Sequence, residues 1–299
     1  MELAQNPSIF NSPDSTPRHA PVKFTGEGKT YFGIWLTNLL LTILTFGIYG
    51  AWAKVRTQQF LLGSIEIDGH NLRYHAKPMQ ILVGRLIAIT FFGAFMATVH
   101  IFQNPVLLFI MGTIYFIALP WAVNASLRFS LRMTSYRNVR FNFKGTYWGA
   151  MKTFIIFPIL GLIPFYLGLP WVNKKVDEYL MSNAYYGEKQ FKTDIQTQTY
   201  YKAVGASLLV VLGTAISAGV LALIISLAIE GTEPFLMMIF GGLVIASYFY
   251  AFSAYKVIVR NHIFNNLRIP GVATFKSNLK YRDFTHVFMK NLLYTVLTL

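Results

Sequence analysis

The sequence predicts an all-α integral membrane protein that is polytopic and internally repeated, with broken or re-entrant helices and small cytoplasmic β-hairpin loops. Three observations lead there. Of the 299 residues, 54% are hydrophobic and only 13% charged, whereas a soluble chain carries about a quarter charged residues. Seven apolar stretches, at 33–52, 79–102, 105–124, 148–171, 203–229, 234–257 and 286–299, mostly approach the ~20 residues that cross a ~30 Å hydrocarbon core as a helix. Similar segments also recur, roughly 120 to 130 residues apart.

The recurrence is read directly from the residues. Trp35 to Phe46 reads WLTNLLLTILTF, and Phe288 to Leu299 reads FMKNLLYTVLTL, with Asn38/Asn291, Thr42/Thr295 and Thr45/Thr298 identical in register. A weaker middle copy runs from Lys152 to Trp171. Phe24 and Gly26 match Phe143 and Gly145 at the same offset that relates Trp52 to Trp171. These matches divide the chain into a mobile cytoplasmic tail (1–23), a first membrane repeat (24–142), a second (143–274) and the start of an incomplete third (275–299).

The tail is polar, carries Pro7, Pro13, Pro17 and Pro21, and lacks the charged-then-apolar-then-small pattern of a cleaved signal peptide. The chain has no cysteine, which excludes disulfides, thiolate metal sites and cysteine nucleophiles. Its net charge is +14. The Lys and Arg residues sit in the loops between apolar segments, so they point to membrane lipids and not to nucleic acid.

Charge placement orders the segments. Basic residues fill the connections 53–78, 125–147, 172–202 and 258–285, whereas Gln103-Asn104 and Glu230-Gly231-Thr232-Glu233 carry none. If every apolar segment spans, half of the basic loops fall on the wrong side of the positive-inside rule. If 33–52, 148–171 and 286–299 dip in and return, all four basic loops and the N-terminus face the cytoplasm. Gly33, Gly47 and Gly50 in the first, and Pro158, Gly161, Pro164, Gly168 and Pro170 in the second, suit broken backbone. Kinked spanning helices are the alternative. Segments 79–102/105–124 and 203–229/234–257 read as spanning hairpins.

The loops carry their own pattern. Ser64 to Tyr74 reads SIEIDGHNLRY, two alternating strands around an Asp68-Gly69 turn, a strong short hairpin signal. Asn71-Leu72-Arg73-Tyr74, Asn138-Val139-Arg140-Phe141 and Asn266-Leu267-Arg268-Ile269 repeat a related motif. Arg73, Arg140 and Arg268 are thus candidate lipid-headgroup ligands, or else topology anchors only.

Candidate chemistry is sparse. Arg85, Lys152 and Lys256 lie near segment ends, where snorkelling satisfies them. Glu66, Asp68, Asp177 and Glu178 read as loop acids with no partner arrangement for acid–base work, and the spacing of Asp68, His70 and His75 fits no zinc pattern. No catalytic residue, metal site or cofactor motif emerges. What remains is a polar stripe: Asn38, Thr42 and Thr45 share one helical face, repeated by Asn291, Thr295 and Thr298. It serves either as interhelical glue or as the lining of a polar groove between repeats.

The run Asn38 to Arg56, NLLLTILTFGIYGAWAKVR, preceded by Phe24-Thr25-Gly26 and followed by Gly84-Arg85-Leu86, resembles the signature of the YjgN family of bacterial inner-membrane proteins. The likeness runs from about Phe24 to the C-terminus. It implies a multi-pass plasma-membrane protein of a Gram-negative bacterium and supplies no catalytic or ligand residues. The family's third repeat normally continues into Gly-Leu-Tyr, Pro-Trp and Val-Arg stretches, so a short version with an unfinished last segment is expected here. Two functions follow as expectations: binding or movement of a lipid or small amphiphile between repeats, or a scaffold that engages a protein partner through the basic cytoplasmic loops.

Overall fold

The structure, a computed structural model, describes residues 19–229, 231 and 233–298. Most of the expected tail, Glu230 and Thr232 lie outside the described residues. The chain is mostly helical, and four helices are long and apolar enough to cross a membrane: Pro78–Phe102, Pro105–Arg132, Thr197–Ala228 and Pro234–Asn265. Their surfaces show what surrounds them. In the most apolar window of the third, 0% is buried inside the protein, and in that of the second, 6%. In water such faces would leave a large hydrophobic free energy unrecovered, which suits helices surrounded by acyl chains.

The chain forms two compact units, residues 1–112 with 130–141, and 113–129 with 142–299. In the first, β1 (Val22–Phe24) pairs with β2 (Ile65–Ile67), and β2 pairs with β3 (His70–Asn71), all antiparallel. Helix α1 (Gly28–Leu44) runs into a five-residue turn, 45–49, and then α2 (Gly50–Gly63). The contacts Asn38–Ala53, Asn38–Thr57 and Thr42–Gly50 progress in opposite directions along the two helices, so they are antiparallel. The turn reverses through Phe46 (φ 49°) and Gly47 (φ 90°). Thr45 braces it, donating its hydroxyl to the Leu41 carbonyl at 2.7 Å and accepting from the Tyr49 amide at 2.9 Å. Phe46 at the tip is 99% exposed.

The expected hairpin is present, with Asp68 and Gly69 both at positive φ (49° and 71°), as a type I′ turn requires. The strand then breaks at Leu72, and β4 (Arg73–Tyr74) pairs with β5 (Thr134–Tyr136) instead. A second I′-like turn, Arg137-Asn138 (φ 46° and 63°), leads to β6 (Val139–Phe143). It contains no glycine, and Asn tolerates the left-handed region better than most residues. Helix α3 (Pro78–Ala97) follows β4, widens into a π-turn at Thr98–Phe102, and gives way to α4 (Pro105–Arg132).

In the second unit α5 (Tyr147–Met151), a π-turn at Lys152–Ile156 and α6 (Phe157–Leu162) make the descending arm of a similar hairpin. The wide turn immediately precedes Pro158, whose ring would otherwise press on the carbonyl four residues back. The tip again places a phenylalanine at positive φ, Phe165 (φ 48°), 91% exposed. Then come α7 (Leu169–Ser182), β7 (Ala184–Tyr186), β8 (Lys189–Gln190), β9 (Lys192–Thr193) and α8 (Thr197–Ala228). The bounds of α7, β7, β8 and β9 are those of α2, β2, β3 and β4 moved along the chain by one common offset, and α8 starts where that offset places the start of α3. Helix α8 packs along α9 (Glu233–Asn265) around a core of Ile195, Tyr200, Ala203, Val259 and Ile263. Strands β10 (Leu267–Ile269) and β11 (Ala273–Thr274) close a small sheet with β9. Last is α10 (Tyr281–Thr298), which packs on α9 through Phe249, Phe252 and Phe288.

The paired Phe-x-Gly stretches are locks between strand and hairpin. A side chain on Gly26 would strike the Phe24 ring and Ser64 Oγ at 2.7 Å, while the Thr25 amide donates to the Ser64 carbonyl at 2.8 Å. Around Gly145 the lock is polar: Tyr179 Oη donates to Asn124 Oδ1 at 2.7 Å, and Arg128 Nη2 to the Gly145 carbonyl at 2.7 Å.

A candidate headgroup site in the first unit

Asn38 is the residue from which the site is built. It lies mid-way along α1 on the face toward α2, and is only 6% exposed. Its Nδ2 makes two long contacts of 3.4 Å, to the Ala53 carbonyl and to Thr57 Oγ1. The Ala53 carbonyl only accepts, which fixes the amide orientation and turns Oδ1 the other way. There Oδ1 is buried with no hydrogen-bond partner. Buried acceptors are rarely left so, because the desolvation is not repaid.

A cavity of about 350 Å³ is lined by residues including Asn38, Thr42, Gly50, Lys54, Thr57 and Arg85. Arg85 comes from α3, about 10 Å along the helix from its start. It reaches the α1–α2 hairpin across Gly50: a Cβ there would lie 2.6 Å from Arg85 Nη1. Gly50 is thus the gap through which the guanidinium enters. The Arg85 head lies against the first turn of α2. No carboxylate lines the cavity among the described residues, and it contains two cationic side chains.

The rest of the predicted stripe is distributed. Thr42 lines the cavity, though its hydroxyl donates back to the Asn38 carbonyl at 2.6 Å. Thr45 is committed to the turn. In the second unit Asn291 and Thr295 lie on exposed turns of α10, where Thr295 Oγ1 donates to the Asn291 carbonyl at 2.9 Å. The side chain of Thr298 lies outside the described residues. The cavity belongs to α1, α2 and α3 of the first unit alone.

The three arginines are exposed on their strands. Arg73 and Arg140 both pair in register with Ser135, one from each side, so they share a face of the sheet about 10 Å apart. Arg268 faces Lys192 across the β9–β10 ladder, and both line a cavity of about 530 Å³ that also includes Gly271 and Thr274.

The acids have partners, against the expectation of loop acids without them. Asp68 Oδ2 takes Arg137 Nη2 at 2.6 Å. Glu178 takes Lys174 at 2.7 Å and Lys175 at 3.0 Å. Burial alone would push the Glu178 carboxyl up, but the two lysines outweigh it and hold it below its ordinary value. Asp177 accepts from Tyr200 Oη at 2.7 Å, beside a cavity of about 270 Å³ that is also lined by Asn173, Tyr255, Lys256 and Arg260. Burial raises its carboxyl, against the Tyr200 hydroxyl and the Lys256 charge. Lys256 therefore faces an acid as well as the interface. The Asp177 partners Tyr200 and Lys256 lie on two further helices and no local spacing announces them, whereas Glu178 and its lysines stand at ordinary helical spacing.

Residues 19–299 match the family described as bacterial protein of unknown function (DUF898). An inner membrane protein YjgN of Escherichia coli O157:H7 is 25% identical over 91% of this chain and 81% of its own length. The Escherichia coli K12 protein of that name is 32% identical over 47% of this chain, covering 35% of its length. The protein of that name from Salmonella typhimurium LT2 is 26% identical over 49% of this chain, covering 37% of its length. No solved structure matches the chain.

Proposed function

The chain belongs to the DUF898 family, that of the inner membrane proteins YjgN, and on that footing we propose a multi-pass inner-membrane protein that binds, and helps move, a lipid or small amphiphile by its polar head. One observation carries this reading. A half-buried Arg85 and an exposed Lys54 line one cavity together with the polar side chains of Asn38 and Thr57, and no acid lines it among the described residues. An unpaired cation near an apolar surface is costly; an anionic headgroup offsets that cost while its acyl chains lie along the exposed helices.

The finer architecture follows the same reading. Four helices span, and the basic loops and the N-terminus face the cytoplasm. The α1–α2 and α5–α7 hairpins enter the bilayer from that side and return, Phe46 and Phe165 leading. The common offset between element bounds supports a duplicated unit. The β-hairpins lie at the cytoplasmic surface with Arg73, Arg140 and Arg268 toward headgroups.

The test is lipid retention by the full chain in nanodiscs, measured by native mass spectrometry with phosphatidylglycerol. Wild type retains defined lipid copies, and Lys54→Gln/Arg85→Gln loses them, with affinity down roughly tenfold or more for two lost charged contacts. Equal retention by both overturns the reading. A second reading, a scaffold that engages a protein partner, is favoured by the shared exposed face of Arg73 and Arg140. It separates in the same preparation: neutralising Arg73, Arg140 and Arg268 would remove co-purifying protein while leaving lipid copies unchanged.

A further inference from the structure

We propose that the second unit holds an anion site of its own, on the sheet of β9, β10 and β11, and that it takes a phosphate monoester. The inference goes beyond the first-unit reading and stands apart from it. Antiparallel register sets Lys192 directly opposite Arg268, so two cations share one face with their Cα atoms about 5 Å apart. Like charges so placed weaken a sheet, and an anion between their heads reverses that effect. Both side chains line the cavity of about 530 Å³, together with Gly271 and Thr274. A third cation reaches the same wall: a Cβ on Gly271 would lie 3.4 Å from Lys189 Nζ. All three basic residues are exposed.

The described residues leave this charge uncancelled. No acid among them lines the cavity, and none of them forms an ion pair with Lys189, Lys192 or Arg268. Glu188 and Asp194, the nearest acids along the chain, both fall outside the lining. Thr274 adds a hydroxyl, in register with Arg268 on its other side. The first unit carries a similar ladder with its charges spaced or cancelled. There β4 sets Arg73 opposite the uncharged Ser135, and Asp68 binds the turn cation Arg137 at 2.6 Å. The common offset places Gly187 at the position of Asp68, Lys189 at that of His70 and Lys192 at that of Arg73. The second unit thus has no acid where the first has one, and sets two cations face to face. Ammonium and guanidinium groups only donate. A phosphate monoester brings a charge near −2 and three acceptor oxygens, one for each cation, whereas a diester brings a single charge and two such oxygens. A lipid headgroup and a soluble monoester share this chemistry.

The experiment places the full-length chain in phosphatidylcholine nanodiscs and has two arms. The lipid arm compares retention of phosphatidic acid and phosphatidylmethanol by native mass spectrometry. The soluble arm compares methyl phosphate and dimethyl phosphate by calorimetry. Each pair differs by one ester methyl, and so by about one negative charge above the second phosphate ionisation near pH 6. Wild type is expected to prefer the monoester by roughly tenfold or more in at least one arm, and the arm that shows it identifies the source. Lys192→Gln/Arg268→Gln is expected to abolish the preference, and Lys54→Gln/Arg85→Gln to keep it. Equal binding of both members by wild type in both arms, or no binding of either, overturns the proposal. So does a preference that survives Lys192→Gln/Arg268→Gln or disappears in Lys54→Gln/Arg85→Gln. The wild-type comparison needs no variant to fold, and the first-unit cavity is read by its own variant.

Discussion

Asp177 sits on α7 with its carboxylate turned toward α8 and α9, where Tyr200 donates to it. Burial is the largest influence on it and raises it above the ordinary 3.8. The folded chain thus holds this proton at pH values where the unfolded chain has released it. The stabilisation is present at low pH and is lost as pH rises from 3.8 through the raised folded value. Asp177→Asn keeps an acceptor for Tyr200 and removes the titration. The melting temperature of the variant relative to wild type is therefore expected to climb across that window and level off above it, in detergent thermal scans over a pH series. A constant difference would sink the assignment. Asp177 also shows why single residues were poorly legible in the sequence. Its separations from Tyr200 and Lys256 fit no helical or strand period, so only folding brings them together. Asn38 was legible because its stripe repeats at helical spacing, but that its Oδ1 lacks a donor is a property of three dimensions.

The two helical hairpins differ where their arms meet, and glycine decides how. In the second, Gly168 presses backbone against Gly161, so Gly168→Ala has nowhere to move and is expected to cost roughly 1–3 kcal/mol by overpacking. In the first, a methyl on Gly50 is crowded by the far end of Arg85 and meets Thr42 Cγ2 at an ordinary 3.8 Å. Gly50→Ala is expected to leave stability within about 0.5 kcal/mol of wild type while displacing the guanidinium and weakening lipid retention. Detergent melting and native mass spectrometry on the same two variants check both halves, and a destabilised Gly50→Ala with normal retention would contradict the gap described for Arg85. At this scale the sequence was informative. Asp68-Gly69 named its turn because positive φ at two successive residues has few solutions. The Arg137-Asn138 turn was missed because Asn alone is a weak mark, and the break at Leu72 arises from pairing with β5, which no local pattern encodes.

For the whole molecule, the absence of cysteine makes accessibility mapping direct. The structure also chooses the sites, because Ser64 and Ser135 are buried (7% and 2% exposed) and would resist labelling on either side of the membrane. His70, Asn138, Glu188 and Asn278 are exposed on the basic connections, and Asn104 on the short uncharged one. With cysteine at each in turn, an impermeant reagent on intact cells is expected to label Asn104→Cys alone. Labelling of His70→Cys or Asn138→Cys would make the α1–α2 segment a true crossing. Membrane character, four long apolar helices and family were all legible from composition, run length and one motif, because the bilayer imposes the same demand at every residue. Sidedness rests on an argument about charge, and the accessibility map is its test.

The closed second hairpin gives the chain an internal blank. Phe46 and Phe165 occupy matching tips of two similar folds, one beside an open polar cavity and one above touching backbones. A photoreactive or spin-labelled side chain placed at either tip would meet the same detergent and the same preparation. Subtracting one trace from the other would remove what the two tips share and leave what the cavity adds.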